Sequence, residues 1–367
     1  MPVAITPRPL LPEKQMSFIG VNLRRERLDL ADTECAVAIN ADFHTRPGAA
    51  ILRAGRTRLS TGTFTGQVVS VDTVNSVRYA LTTSNIYRGN TSVAVGQDSV
   101  GSSLAPYRPF NDSYTWAFIA NRNAMYKDNG LSLLKWGIAP PTGITPTVAV
   151  GAAGSLTGSY RVAFTYVRKV GTAIAAESNP STFSAAQVLA AQVLSVTGLT
   201  DSADPQVTHK RLYRTLNAGG LFLVDQDVAV GTTIATSSQS DSALGAQLAL
   251  DNDVPPNAYK AVEFQGTMFL LGDAAHPNYL WFSKHFVPEA VPAANFLIIG
   301  GGQDPLITMV SALGQLGVVS AKTKWRIVGN NTSGYTYLEA VSKRGTFTER
   351  GAIGTDQGTL FVARDGL

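Results

Sequence analysis

The chain has 367 residues, more than one typical domain, so two or three modules are expected. Charged residues make up only 15% of it, and this low share favours a protein whose surface is covered by partner subunits in a permanent assembly. The single cysteine, Cys35, excludes an intrachain disulfide and the paired-cysteine zinc frameworks. The sequence shows neither a secretory signal nor an apolar run of about 18 residues, so we expect no membrane anchor and assembly in a cytoplasm.

Residues 1–143 contain a series of predicted short strands. Alternation rich in Val and aromatic residues predicts strands over 67–79, 79–87 and 114–121. The dipeptide at Asn129 and Gly130 predicts a hairpin turn, because Asn-Gly tolerates the positive φ that such turns require. Turn signals recur about every 8–12 residues, which is typical of a sandwich, barrel or propeller.

Double prolines at 140–141 and 255–256 predict two linkers. Between them, residues 144–255 are poor in aromatics and rich in Ala, Thr, Ser and Gly, and match the size of a small β-sandwich. One predicted strand, 158–168, places Tyr160, Val162, Phe164 and Tyr166 on a common face. Further strands are predicted over 193–199, 209–215 and 220–230, whereas 184–194 fits either a helix or a strand. About seven strands without a cysteine pair favour a fibronectin type III-like sandwich over an antibody domain.

Residues 256–367 return to the pattern of the first part. Strands are predicted over 262–271, 280–283, 309–319 and 324–328. We therefore predict an all-β protein in which an irregular β-propeller-like ring domain is interrupted by an inserted Ig/fibronectin III-like β-sandwich. Its parts are residues 1–143 and 256–367 for the propeller-like domain and 144–255 for the sandwich.

The positive charge is distributed unevenly along the chain. Residues 144–255 carry six Lys and Arg against eight Asp and Glu, whereas the remainder carries 24 against 18. The densest basic cluster is Arg24, Arg25 and Arg27, interrupted by Glu26. Three interpretations of this cluster stay open: a solvated loop, a subunit interface, and contact with DNA phosphates. Our hypothesis is that the basic excess faces neighbouring subunits or DNA.

The candidates for catalysis or metal binding have simpler interpretations. None of His44, His209, His276 and His285 shows the spacing of a helical metalloprotease pair, so ordinary loop or surface histidines are expected. The glycines at 300–302 lack the Lys-Ser/Thr of a phosphate loop and predict a turn. Four aspartates are candidate calcium ligands: Asp251, Asp253, Asp241 and Asp304. The first pair lacks the following Gly and distal Glu of a calcium loop, so turn chemistry is favoured.

No Gly-x-Ser-x-Gly elbow and no sialidase-type box is present. The two catalytic carboxylates of a glycosidase can lie far apart in the chain and leave no local pattern. A glycosidase carboxylate pair therefore stays open as an alternative. We predict no catalytic, cofactor-binding or metal site, no cofactor, and a protein that is not an enzyme.

Three sets of segments carry a family resemblance. The first is 34–43 (Glu-Cys-Ala-Val-Ala-Ile-Asn-Ala-Asp-Phe) followed by 46–48 and 53–59, with Ala54 where proline is frequent. The second is 158–167, 177–181, 207–215 and 219–224. The third is 280–283, 288–289, Asn295, 307–308 and 324–329. Together they resemble tail nozzle, tail-hub or tail tubular proteins of short-tailed bacteriophages.

The resemblance implies a virion structural protein in the phage tail. Several copies, a hexamer in such families, would form a cyclic ring that extends the DNA-ejection channel. The expected partners are other copies of the chain, the head-to-tail adaptor, other tail proteins, and genomic DNA that passes without sequence specificity. The alternatives are a host-binding, fibre-like or adhesin module whose sandwich contacts glycans, and a propeller glycosidase acting on the cell envelope.

Overall fold

The computed structural model describes residues 20–21, 34–35, 41–42, 51–52, 63–99, 101–302, 304–340 and 343–363. The chain divides into two compact units, Met1–Thr61 and Gly62–Leu367. In the first unit, β1 (Gly20–Val21) pairs in parallel with β2 (Glu34–Cys35), and β3 (Ala41–Asp42) pairs antiparallel with β4 (Ile51–Leu52). The predicted basic cluster Arg24, Arg25 and Arg27 lies outside the described residues, as does His44.

The second unit contains four four-stranded antiparallel sheets in which consecutive strands are neighbours, here called meanders. The first is β5 (Val68–Val74), β6 (Val77–Thr82), β7 (Asn85–Arg88) and β8 (Thr91–Val95). The second is β9 (Ser102–Tyr107), β10 (Trp116–Asn121), β11 (Tyr126–Asp128) and β12 (Leu133–Lys135).

Between the second and third meanders the chain forms two further sheets. The strands are β13 (Thr147–Tyr160), β14 (Val162–Val170), β15 (Ala173–Glu177), β16 (Gln187–Thr197), β17 (His209–Thr215), β18 (Phe222–Ala229) and β19 (Ala235–Ser237). One sheet has the order β13-β16-β19 and the other β15-β14-β17-β18. Both contribute to one hydrophobic core, so these strands form a two-layer sandwich.

The third and fourth meanders follow the sandwich. The third is β20 (Lys260–Phe264), β21 (Thr267–Leu271), β22 (Tyr279–Phe282) and β23 (Phe296–Ile298). The fourth is β24 (Leu306–Ala312), β25 (Gln315–Ser320), β26 (Lys324–Asn330) and β27 (Gly334–Glu339), and a hairpin of β28 (Ala352–Thr355) and β29 (Gly358–Phe361) contacts β24. Within the described ranges the only helical segments are 3₁₀ turns, Asp241–Ala243 and Gly300–Gly302, which confirms the all-β prediction.

The meanders pack face to face in chain order. Their first strands are successive neighbours: β9 contacts β5, β20 contacts β9, and β24 contacts β20. Strand β10 is buried along its whole length because it has cover on both faces. Trp116 and Phe118 face the core shared with the third meander, and Ala117 and Ile119 face the core shared with the first. This explains why central strands here are continuous apolar runs rather than alternating ones.

Polar contacts join neighbouring meanders. The buried Asp128 carboxylate accepts a hydrogen bond of 2.7 Å from the Tyr79 hydroxyl and pairs with Arg88, which connects the first meander to the second. The Tyr259 hydroxyl donates to the Ile307 carbonyl at 2.6 Å and so connects the third to the fourth. Gly272, at φ +94°, lets the Tyr259 ring pack closely, since a Cβ there would lie 2.1 Å from the ring.

Several strand predictions are corrected in detail. The predicted strand 67–79 is two strands, because Asn75 and Ser76 both adopt positive φ and form a tight turn within the alternating run. Likewise, 158–168 is interrupted at Arg161, where the chain crosses from one sheet of the sandwich to the other. Tyr160 therefore belongs to the other sheet and does not share a strand face with Val162, Phe164 and Tyr166, although all four side chains lie in one core. The ambiguous segment 184–194 is a strand from Gln187 onward.

Two aspartates on β18 have opposite environments. Asp225 is buried, and neither carboxylate oxygen finds a hydrogen-bond partner among the described residues. Burial therefore raises the pKa of Asp225, although the nearby Ser237 and Arg214 oppose this. Burial also acts to raise the pKa of Asp227, but Arg211 and Lys169 bind its carboxylate and lower that pKa overall.

Replacing Asp225 with Asn should increase stability at neutral pH. Since the pKa of Asp225 is raised on folding, the folded state holds the proton longer than the unfolded chain does. Stability is therefore lost as the pH rises from about 3.8 through the folded pKa. D225N removes this loss, and we expect a gain of about 1–3 kcal/mol in the free energy of unfolding at pH 7.

Denaturant unfolding across the pH range measures this gain. The matched variant D227N should change stability in the other direction, by about 1 kcal/mol or less, because it removes an ion pair whose benefit is present above the unfolded pKa. A D225N protein that is less stable than the wild type at pH 7 would contradict the assignment.

Candidate functional site

The sandwich meets the second and third meanders at a buried junction. Four elements supply its charged side chains: the loop between β9 and β10, strand β11, strand β14 of the sandwich, and the loop between β22 and β23. The chain reaches the sandwich through the proline-rich segment 136–146 and leaves it through 251–259. Both linker segments lie beside the junction, so contacts at the junction determine how the sandwich is held against the meanders.

Four charged side chains form a closed cluster at this junction. The Arg168 guanidinium donates to Asp112 at 2.7 Å and to Glu289 at 2.9 Å. The Lys127 ammonium lies 2.5 Å from the second oxygen of Glu289. All four side chains are at most 7% exposed. Two cations and two anions therefore balance within a site that excludes water, which is the condition under which buried charges are tolerated.

Trp116 completes the cluster. Its indole nitrogen donates to Asp112 at 2.7 Å, and its ring lies 4.9 Å from the Lys127 ammonium and 5.2 Å from the Arg168 guanidinium. The negative ring face thus contacts both cations while its positive edge contacts an anion. One aromatic side chain orients three of the four charges.

The surroundings shift the pKa values of the two cations in opposite directions. Loss of hydration lowers the pKa of Lys127 to about 8, although Glu289 opposes this. Burial acts in the same direction on Arg168, but Glu289 and Asp112 together raise the pKa of its guanidinium above the usual value. Arg168 is therefore the permanent charge of the cluster, and it belongs to the sandwich while both of its anionic partners belong to the meanders.

The linkers are fastened beside the cluster. The Asp253 carboxylate accepts hydrogen bonds from the Asn179 side chain at 2.7 Å and from the Ala293 amide at 3.0 Å. On the incoming side, the Gln206 amide donates to the carbonyls of Lys135 and Gly137. Because each linker is tied both to the sandwich and to a meander or its neighbouring loop, the junction restricts motion of the sandwich at two further points.

An open cleft of about 440 Å³ lies between the sandwich and the same loops. Its lining is mainly apolar, and two phenylalanine rings with centroids 6.4 Å apart stand at its surface. Phe110 is 82% exposed and Phe286 47%. Among the titratable lining groups, Glu177 is hydrogen-bonded to Tyr213 and Lys284 is paired with Asp251. The volume and character suit an apolar side chain or ring from a partner molecule.

Phe286 is held in a strained position in this cleft. Its φ of +60° is rare for a bulky residue, and its amide donates to the Gly266 carbonyl at 2.7 Å. A Cβ at Gly266 would lie 2.5 Å from the Phe286 ring, so only glycine permits this approach. Such strain persists where the surroundings impose it and is common at ligand-binding sites.

The three histidines in the described part of the chain are not brought together as metal ligands. Among the described residues no group of three His, Cys, Asp or Glu side chains has metal-binding geometry. His209 contacts the Thr208 hydroxyl, His276 pairs with Asp273 and stacks on Tyr279, and His285 packs on Phe286. His285 lines the cleft, and its Nδ1 is buried without a partner in the described part of the chain.

The other predicted features serve local structure. Gly300 packs against Trp325 in a 3₁₀ turn, and the Asp304 side chain binds the Ser320 hydroxyl. Asp251 pairs with Lys284, and Asp241 with Arg214. In none of these contacts do the aspartates converge on one point, as calcium ligands would.

The cluster residues Asp112, Lys127, Arg168 and Glu289 were missed by the sequence analysis. The available signal was the position of Arg168 at the end of the mainly apolar predicted strand 158–168, since a cation there needs a buried anion. The anions lie in loops far away in sequence and carried no pattern of their own.

No family model matches the chain, and no curated protein matches it. In the described part of the chain, no helix has the length and apolar character needed to cross a membrane.

Replacing Glu289 with Gln should destabilise the second unit strongly. The variant keeps the shape of the side chain but leaves Lys127 and Arg168 facing the single charge of Asp112. Breaking a buried pair in this way costs about 3–5 kcal/mol in the free energy of unfolding. Equilibrium denaturation measures the loss.

The matched control is Glu339→Gln, because Glu339 forms an ion pair with Lys343 in which the two side chains are 48% and 67% exposed. That variant should stay within about 0.5 kcal/mol of the wild type. A loss below about 1 kcal/mol in the Glu289 variant would show that the cluster is not what holds the junction.

Proposed function

We propose that this chain is a structural protein of a short-tailed bacteriophage tail, of the nozzle or hub type, that assembles into a ring around the DNA path. The observation that carries the proposal is the stack of consecutive four-stranded meanders with adjacent first strands. Propellers are built by this radial repetition. In the proposal, the meanders are blades of an irregular propeller, and the sandwich is an Ig/fibronectin III-like domain inserted between two blades.

The insertion explains the domain organisation expected from the sequence. The sandwich strands span 147–237, within the predicted domain 144–255, and the meanders lie on either side of it in the chain. Seven strands in antiparallel sheets of three and four, with a common core and no cysteine pair, support the assignment of the sandwich. In this proposal the ionic cluster fixes the inserted domain to the two blades that flank it.

The proposed mechanism is assembly rather than catalysis. Copies of the chain would close into a cyclic ring, since a channel on the tail axis requires closed rotational symmetry. The ring would dock the head-to-tail adaptor on one side and distal tail proteins on the other. DNA would pass through its lumen without sequence-specific contacts, and the protein would reside in the virion tail after assembly in the host cytoplasm.

Light scattering of the purified full chain, followed by negative-stain imaging, tests the ring. We expect annular particles with a central hole, formed by the protein alone or on addition of its adaptor. The copy number follows from the mass. Absence of annular particles under both conditions would overturn the proposal.

The same assay tests the basic cluster. Replacing Arg24, Arg25 and Arg27 together with Gln should impair ring formation or infectivity if the cluster faces neighbouring subunits or DNA. Unchanged assembly and infectivity would reject that placement while leaving the ring intact.

The aromatic cleft favours a second candidate function, binding of a host glycan. Exposed rings beside polar side chains offer a stacking surface for a sugar face together with hydrogen-bonding groups. Under this alternative, the full chain binds host polysaccharide on a glycan array, and Phe110→Ser lowers that binding at least about tenfold. Phe347→Ser is the control, since Phe347 is 56% exposed outside the cleft. Equal binding by both variants, or none by the wild type, would exclude the alternative.

A further inference from the structure

One lysine and one carboxylate of the ionic cluster meet where neither of them reaches water. The Lys127 side chain is 0% exposed and the Glu289 side chain 3%, and the lysine nitrogen lies 2.5 Å from the Oε2 of the carboxylate. In each of the other described lysine–carboxylate pairs, the carboxylate is at least 17% exposed. A primary amine and a carboxyl group are thus held in contact without solvent at this one pair.

The backbone fixes both partners of the pair. Lys127 is the central residue of β11, which is paired with β10 on one side and with β12 on the other. The loop that carries Glu289 is held on both sides of that residue. The Trp136 indole donates to the Pro288 carbonyl at 2.8 Å, and the Val291 amide donates to the outgoing linker at 2.9 Å. Two groups held together in this way react as if they were present at very high concentration.

The surroundings bring the pair close to its uncharged form. Loss of hydration lowers the pKa of Lys127 to about 8, against the opposing effects of Glu289 and Asp112 and together with that of Arg168. Transfer of one proton from the lysine nitrogen to Oε2 converts the ion pair into an amine and a carboxylic acid. The low polarity of a site without water favours the two neutral groups over the two charged ones.

We propose that Lys127 and Glu289 join through an amide bond between their side chains, an isopeptide bond. The amine nitrogen attacks Cδ of Glu289, and the Arg168 guanidinium, 2.9 Å from Oε1, stabilises the negative charge that develops on that oxygen. The nitrogen then gives a second proton to Oε2, and the Cδ–Oε2 bond breaks. Amine and acid become an amide and one water molecule, so the reaction needs no oxidant, reductant or co-reactant.

The product fits the site better than the two ions do. Bond formation removes one buried cation and one buried anion, and it leaves Arg168 and Asp112 as a matched pair 2.7 Å apart. The new amide carbonyl takes the place of Oε1 as a hydrogen-bond acceptor for Arg168. Since buried ions carry a large desolvation cost, their removal favours the amide. Hydrolysis would need a water molecule at a site that excludes water.

The bond closes a covalent loop around the sandwich. Its two residues are 162 positions apart in the chain, and all strands from β13 to β19 lie between them. The second and third meanders therefore stay joined even when the sandwich between them unfolds. The bond forms within a single copy of the chain, so this proposal does not depend on the ring. A chain that carries the bond and forms no annular particles would reject the ring alone.

Intact-mass spectrometry of the denatured full chain tests the bond. The wild type should be lighter than its sequence requires by the mass of one water molecule. Trypsin should release residues 123–135 joined to residues 285–322, because an acylated Lys127 is no longer a cleavage site. A wild type with the full sequence mass, or one in which trypsin cleaves after Lys127 and leaves 285–322 unattached, would overturn the proposal.

Two lysine variants locate the bond. Lys127→Arg keeps a cation in the cluster but removes the nucleophilic amine, so its mass should show no loss of water. Lys343→Arg is the matched control, since Lys343 forms an ion pair with Glu339 in which both side chains are exposed. This variant should lose one water molecule and give the joined peptides, as the wild type does. A loss of water that persists in Lys127→Arg would place the bond elsewhere and overturn the assignment.

Discussion

The arrangement of the second unit depends on placing the guanidinium of Arg168 where water cannot reach it. The Arg168 side chain extends from the sandwich into a site formed by the meanders. The sandwich can therefore occupy only a position in which Asp112 and Glu289 surround the guanidinium. A buried charge that lost either anion would be heavily penalised. The cluster therefore contributes orientation as well as stability, since an apolar contact of equal area would tolerate sliding.

The stacking of sheets explains why the central strands of the stack carry few charged residues. The central strands β10 and β21 have a sheet on both faces, so neither face carries the solvated charges that an ordinary surface strand would have. Strand β21, Thr267–Leu271, is buried at every position for this reason. Charge survives in the stack where it is paired across sheets, as at Asp128 with Arg88.

Much of the fold was predictable from local patterns, and the junction was not. The strand content and the burial of Tyr160, Val162, Phe164 and Tyr166 follow from alternation over short distances. The tight turn at Asn75 was missed because the alternation continues through it. Arg168 finds its anions 56 and 121 residues away, and no periodic pattern encodes pairing at that separation.

The positions of the tryptophans separate the fluorescence of the stacked sheets from that of the sandwich. All four tryptophans, Trp116, Trp136, Trp281 and Trp325, lie outside the sandwich strands, and the first touches the ionic cluster. Indole fluorescence therefore reports on the stacked sheets and on the seating of Arg168, whereas the interior of the sandwich contributes only tyrosine emission. Loosening of the sandwich at the junction would change the emission of Trp116, because its ring contacts Arg168.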